Sequence, residues 1–223
     1  MSERFTVDRA VEPAVSADVG VGPVGFDESD IEPVAQPTRL RTARDVYRWL
    51  PRIPGWSVAA IDGRITMSPA GGVGHALGMT AFVVATHSVA KERDWIVFGG
   101  TVDVCFFPRR DTYVPDLVIA PQGCRTWGDD LHSAGVLLVG EIVSPGTTQV
   151  DRIEKPATAA RAGIPIMLLV DPIGRPASVI VYSRPVDGRY EESITVDLGV
   201  TVHLPAPVDL DLDTSIFIRR AEA

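Results

Sequence analysis

With 223 residues, 45% of them hydrophobic, the chain is long enough for one domain with a sizeable core. No run of about eighteen apolar residues and no basic-then-apolar leader is visible, so neither a transmembrane helix nor a secretory signal is expected; the distant Cys105 and Cys124 suit free thiols in a reducing cytoplasm. The formal net charge of −8 excludes a basic protein that coats nucleic acid, but −6 of it falls in residues 1–38, so the rest is close to neutral and any nucleic-acid affinity must come from a local patch.

Residues 1–38 are rich in acids, Pro, Gly, Ala and Val and poor in large side chains, the composition of a disordered acidic tail. The folded domain is expected over 39–223. Thr42 to Asp45 has the spacing of a capping box, and Val46, Trp49 and Leu50 form the apolar stripe of a short helix that Pro51 and Pro54 end. Residues 56–60 and 65–67 read as a hairpin turned by Asp62-Gly63. A Gly-rich break at 71–74 precedes a long helix over about 75–92. Strands are expected at about 95–98, 101–107, 116–120 and 136–143, followed by a second helix within 151–162. A buried strand at 164–170 and two strands at about 178–183 and 189–196, joined through Asp187-Gly188, complete the pattern. Helices packed on a mixed sheet in a single α/β domain follow from it.

Two acids stand out. Asp116 opens the run Leu117-Val118-Ile119-Ala120, and Glu141 lies inside Val136-Leu137-Leu138-Val139-Gly140-Glu141-Ile142-Val143. A carboxylate buried alone costs several kcal/mol, so it needs a cation, a metal or hydrogen-bond donors. Two of them on adjacent strands repel unless something positive lies between, and a divalent metal is the simplest candidate. Lys155 opens the following helix, where it can reach back over the sheet. Two carboxylates, a lysine and a divalent metal suffice for phosphodiester hydrolysis. His87 and His132 read as surface residues, His203 has no partner in the sequence, and Trp127 suits either a base or the core.

At these residues the chain resembles the Uma family of restriction-endonuclease-like proteins, within the PD-(D/E)XK nuclease-like superfamily. The matching segments cover about residues 40–218. They are Ile61-Asp62-Gly63-Arg64-Ile65-Thr66-Met67-Ser68-Pro69, His75, Val114-Pro115-Asp116-Leu117-Val118-Ile119, Glu141-Ile142-Val143-Ser144-Pro145-Gly146-Thr147, Asp151, Lys155 and Ala162-Gly163-Ile164-Pro165. The resemblance implies a restriction-endonuclease-like mixed sheet flanked by helices. It implies an endonuclease, dependent on Mg²⁺ or Mn²⁺, that hydrolyses phosphodiester bonds in DNA, or RNA, as a cytoplasmic homodimer. Asp116 and Glu141 would hold the metal, and Lys155 would replace the superfamily's lysine, which is absent at Val143. His75, Asp151 and Asp62 would support the site or face the substrate. The chain departs from the family at Ala59, where an acid is usual, at Ala159, where an aromatic is usual, and at Pro156. These departures carry the alternative reading, a catalytically degenerate nuclease-like module that binds nucleic acid or a protein partner.

Overall fold

The computed structural model describes residues 40–218, so the tail expected over 1–38 lies outside the described residues. Helix α1 (Ala43–Trp49) starts on a complete capping box: the Thr42 hydroxyl accepts from the Asp45 amide, and the Asp45 carboxylate accepts from the Thr42 amide. Strands β1 (Trp56–Ile61) and β2 (Arg64–Pro69) form the expected hairpin, with Asp62 and Gly63 both at positive φ as a tight primed turn requires. Helix α2 (Val73–Glu92) buries Gly78, Phe82, Thr86 and Ala90, one stripe at four-residue spacing. There follow β3 (Trp95–Gly99), β4 (Val104–Phe106), β5 (Asp111–Tyr113), β6 (Leu117–Pro121), β7 (Thr126–Trp127), β8 (Asp130–His132) and β9 (Leu138–Ile142). A π-helical turn over Val150–Glu154 runs into α3 (Lys155–Arg161), and the chain continues as β10 (Ile166–Asp171), β11 (Ser178–Val186), β12 (Arg189–Asp197), β13 (Thr201–Leu204) and β14 (Leu210–Asp213).

The fold is mixed α/β, as the sequence indicates, but the strands divide among three sheets. One six-stranded sheet runs β2-β1-β5-β4-β8-β7, a second runs β12-β11-β10-β9-β6-β3, and β13 pairs with β14. The central strands of the second sheet, β6, β9 and β10, are buried on both faces. Leu117, Ile119, Leu138 and Leu168 pack with Phe82 of α2 and with Val202, Leu212 and Phe217 from the C-terminal segment. Their alternate neighbours Val118, Val139 and Met167 pack with Ile61, Phe106 and Tyr113 of the first sheet and Ala159 of α3. Side chains alternate along a strand, so a sheet covered on both faces has no polar face, and this explains the unbroken apolar runs.

Two expectations are corrected. The strand expected at 101–107 shrinks to Val104–Phe106, and Asp111–Tyr113 and Asp130–His132 add strands where none were read. Helix α2 is long and apolar enough, by length and composition alone, to cross a membrane, with a mean hydropathy of 1.3. Here its buried stripe packs on the second sheet, while Val73, Leu77 and Val84 are exposed.

Candidate active site

Strands β6 and β9 are antiparallel, with Leu117 opposite Gly140. One step further along this register stand Asp116 and Glu141. Asp116 shares the face of Val118, and Glu141 that of Val139, so both carboxylates project toward the first sheet and α3. Asp116 Oδ2 accepts from the Ile142 amide at 2.7 Å, which fixes the carboxylate at the strand end.

Each acid has its own nitrogen partner. His75 Nε2 lies 2.9 Å from Asp116 Oδ1. The hydrogen bond to Asp116 holds the imidazole pKa above its usual value, against the opposing effect of burial. The ring sits in the first turn of α2, and Gly71 lets it do so: a Cβ at Gly71 would overlap the His75 ring.

Glu141 is 1% exposed, and its Oε2 lies 2.6 Å from Lys155 Nζ. Lys155 Nζ also lies 2.8 Å from Asp151 Oδ1 and 5.1 Å from the centre of the Tyr113 ring. Thr147 donates its hydroxyl hydrogen to the other Asp151 oxygen, and Ser144 Oγ is 2.8 Å from Thr147 Oγ1. Burial pushes the Glu141 carboxyl well above the ordinary carboxylate range, with Lys155 opposing. Burial pulls the Lys155 ammonium down, but Glu141, Asp151 and Asp116 outweigh it and hold it above the ordinary lysine value. In so close a pair the protons belong to the pair, and the geometry of two carboxylates around one ammonium favours a charged lysine.

Pro156 does not turn Lys155 away. Proline lacks an N–H and clashes with the preceding α-helical turn. The π-helical turn absorbs this, with the Lys155 amide bonding five residues back to Val150 O. Lys155 is thereby set inward, 13% exposed.

Asp116, Glu141, Lys155, His75 and Asp151 line one small pocket, together with Thr147 and Tyr113. Asp62 is not among them; it pairs with Arg109 and with Arg161 at 3.1 Å. Tyr113 and Thr147 were not singled out by sequence reasoning. Their signal was position alone, Tyr113 just before Val114-Pro115-Asp116 and Thr147 in the loop leading to Asp151. His132 is buried, not a surface residue, with its ring stacked 4.0 Å from that of Phe107. His203 does have a partner, Asp211 at 2.8 Å.

Among the described residues no three His, Cys, Asp or Glu side chains gather around one point as a metal cage. The two carboxylates nevertheless suit a hard cation. Glu141 Oε1 is buried without a hydrogen-bond partner and is the oxygen turned away from Lys155's closest contact.

A family model described as "Putative restriction endonuclease", Uma2, matches residues 44–215. Among solved structures, the chain is similar to "a putative nuclease belonging to DUF820" from Anabaena variabilis ATCC 29413. The TM-score is 0.59 at 21% identity, covering 80% of this chain and 97% of the other. No curated protein matches.

Proposed function

We propose, for a chain that belongs to the Uma2 family and has a nuclease-like fold, that it is a metal-dependent endonuclease hydrolysing phosphodiester bonds in DNA. The observation that carries this reading is the convergence of Asp116, Glu141 and Lys155 on one pocket. Asp116 and Glu141 would hold Mg²⁺ or Mn²⁺, with Glu141 Oε1 as the oxygen that lacks another partner. A divalent cation, when bound, stabilises negative charge on phosphoryl oxygens. The residues divide the remaining work. The Lys155 ammonium orients the attacking water and offsets charge that builds as the bond to phosphorus forms and the bond to the leaving oxygen breaks. Asp151, held by Thr147, fixes Lys155, and His75 fixes Asp116. A cytoplasmic homodimer acting on DNA, with RNA as the competing substrate, completes the proposal. Purified protein incubated with plasmid and oligonucleotides in Mg²⁺, Mn²⁺ or EDTA, beside Asp116→Ala, tests it. Cation-dependent cleavage lost in the variant is the expected result.

One observation favours a second reading, a nuclease-like module without catalysis. His75 and Lys155 already lie against Asp116 and Glu141, so each acid has a nitrogen partner with no further ion. In that case no cation supports cleavage, and nucleic acid or a protein partner is bound and released intact.

A further inference from the structure

The pocket of Glu141 and Lys155 does not end at Asp116. Ser57, Val58, His75 and Asp116 also line a neighbouring cleft of about 500 Å³, so the two spaces adjoin at these residues. Helix α1 and the loop after it wall the cleft on one side, and the first turns of α2 on another. The α1 wall is fixed in place, because Arg44 and Arg48 reach the fully buried Asp130 at 2.6 and 2.7 Å.

The lining is not that of a phosphate trough. Arg52, at its rim, is bound to Asp103 at 2.8 Å, and Tyr47 donates to the same carboxylate. Beside the His75–Asp116 pair, an aromatic face remains available. Trp56, at the start of β1, lines the cleft and is 48% exposed. Strand β1 pairs with β5 only through Ala59 and Ala60, and the Trp56 amide is taken by Ile53 O at 3.1 Å, so the unpaired edge on that side is short. An exposed indole face suits the stacking of a nucleobase.

We propose that this cleft takes one unpaired nucleotide of the substrate, its base stacked on Trp56, beside the phosphate that faces Asp116. The site then acts on single-stranded or locally unpaired nucleic acid and not on intact duplex. The inference rests on the nuclease reading for its orientation toward the acids. A cavity of this size matches a nucleotide-sized ligand. A duplex keeps its bases within the stack and must extrude one to fill it, at a cost an unpaired strand avoids.

The test is binding of labelled oligonucleotides to the full chain in EDTA, so that catalysis plays no part. The probes are a single strand, the matching duplex, and that duplex with one unpaired nucleotide. The single strand and the bulged duplex are expected to bind more tightly than the intact duplex. Trp56→Ala is expected to weaken their binding by roughly fivefold to a hundredfold, the range for losing one base–aromatic stack. Trp56→Tyr keeps an aromatic face and is expected to retain most of the affinity. Trp127→Ala, at an exposed indole outside the cleft, is expected to leave it unchanged. Equal binding of all three probes, or a Trp56→Ala variant that folds and binds like the wild type, overturns the inference. Binding of unpaired strands through Trp56 with no cleavage in Mg²⁺ or Mn²⁺ supports the cleft assignment while refuting the nuclease reading.

Discussion

Lys155 Nζ and Glu141 Oε2 stand 2.6 Å apart, brought together by a helical turn of π geometry across 14 residues of chain. If this ammonium acts on the reacting phosphate, Lys155→Ala lowers turnover by ~10²–10³, the range for losing a group that stabilises transition-state charge. It leaves cation binding in place, because a protonated lysine offers no lone pair to a metal. Lys155→Arg restores little, since the planar guanidinium does not fit the space of a compact ammonium. Single-turnover cleavage beside a cation-binding titration checks both halves. A loss below about twofold in Lys155→Ala removes the lysine from the chemistry.

A two-acid cation site has a thermodynamic signature that needs no substrate. Mn²⁺ at about a hundred times its dissociation constant is expected to stabilise the fold by about 2.7 kcal/mol. Glu141→Gln keeps the shape and removes the charge, and its stability is expected to be indifferent to Mn²⁺. Thermal or urea unfolding with and without the ion measures both. A wild type that does not respond to Mn²⁺ argues for the non-catalytic module.

Gly71→Ala tests the seat of His75. The new methyl overlaps the imidazole, so the ring must leave Asp116 or the backbone must shift. Gly71 has no positive φ to protect, so the effect is steric. Loss of the His75–Asp116 pairing, read from the imidazole NMR shifts, is the expected outcome. An unchanged imidazole titration shows that the neighbouring loop gives way instead.

The His75–Asp116 pair also fixes a direction of pH dependence in metal-free buffer. The hydrogen bond to Asp116 raises the folded-state pKa of His75 above its ordinary value of about 6.5. A raised histidine contributes stability that is fully present below the unfolded pKa and is lost as pH rises through the folded one. The stability gap between wild type and His75→Gln is therefore expected to be widest below about pH 6.5 and to narrow on the alkaline side. Urea midpoints across this range measure it, and a gap that widens with rising pH contradicts the pairing.

At α1 the prediction concerns stability. Thr42→Ala deletes the hydroxyl half of the capping box and is expected to cost about 0.5–2 kcal/mol. Because Arg44 and Arg48 tie this helix to buried Asp130, loosening its start is also expected to speed hydrogen exchange in β8. Chemical denaturation and exchange of the Leu131 amide check the two effects.

The elements that announce themselves locally were readable from the sequence. The Asp62-Gly63 turn demands positive φ, the Thr42–Asp45 box is a contiguous signal, and α2 is long. Asp116 and Glu141 were legible because a carboxylate within an apolar strand needs an explanation. The short strands were not. Asp111–Tyr113 has a polar start and three residues, and only its neighbours β1 and β4 make it a strand. Asp62 looked functional by resemblance, yet its charge is taken up by Arg109 and Arg161, which lie 47 and 99 residues away in the chain. The course of the chain around Pro156 was equally hidden. Pro156 signals a disturbed helix start, but not that a π-helical turn takes it up.

Val143, just past the end of β9, is 2% exposed and its amide bonds to Val170 O, so the position two residues after Glu141 is part of the core. The acids are addressed by a strand register, in which a slip of one residue flips a side chain to the opposite face. The lysine is addressed by a helix count, in which the same slip turns it through about 100° and one extra residue can be stored as a bulge. The two coordinates of the site can thus be edited separately. A lineage can retune the reach of its ammonium by insertions before α3 without unpicking the sheet that holds Asp116 and Glu141.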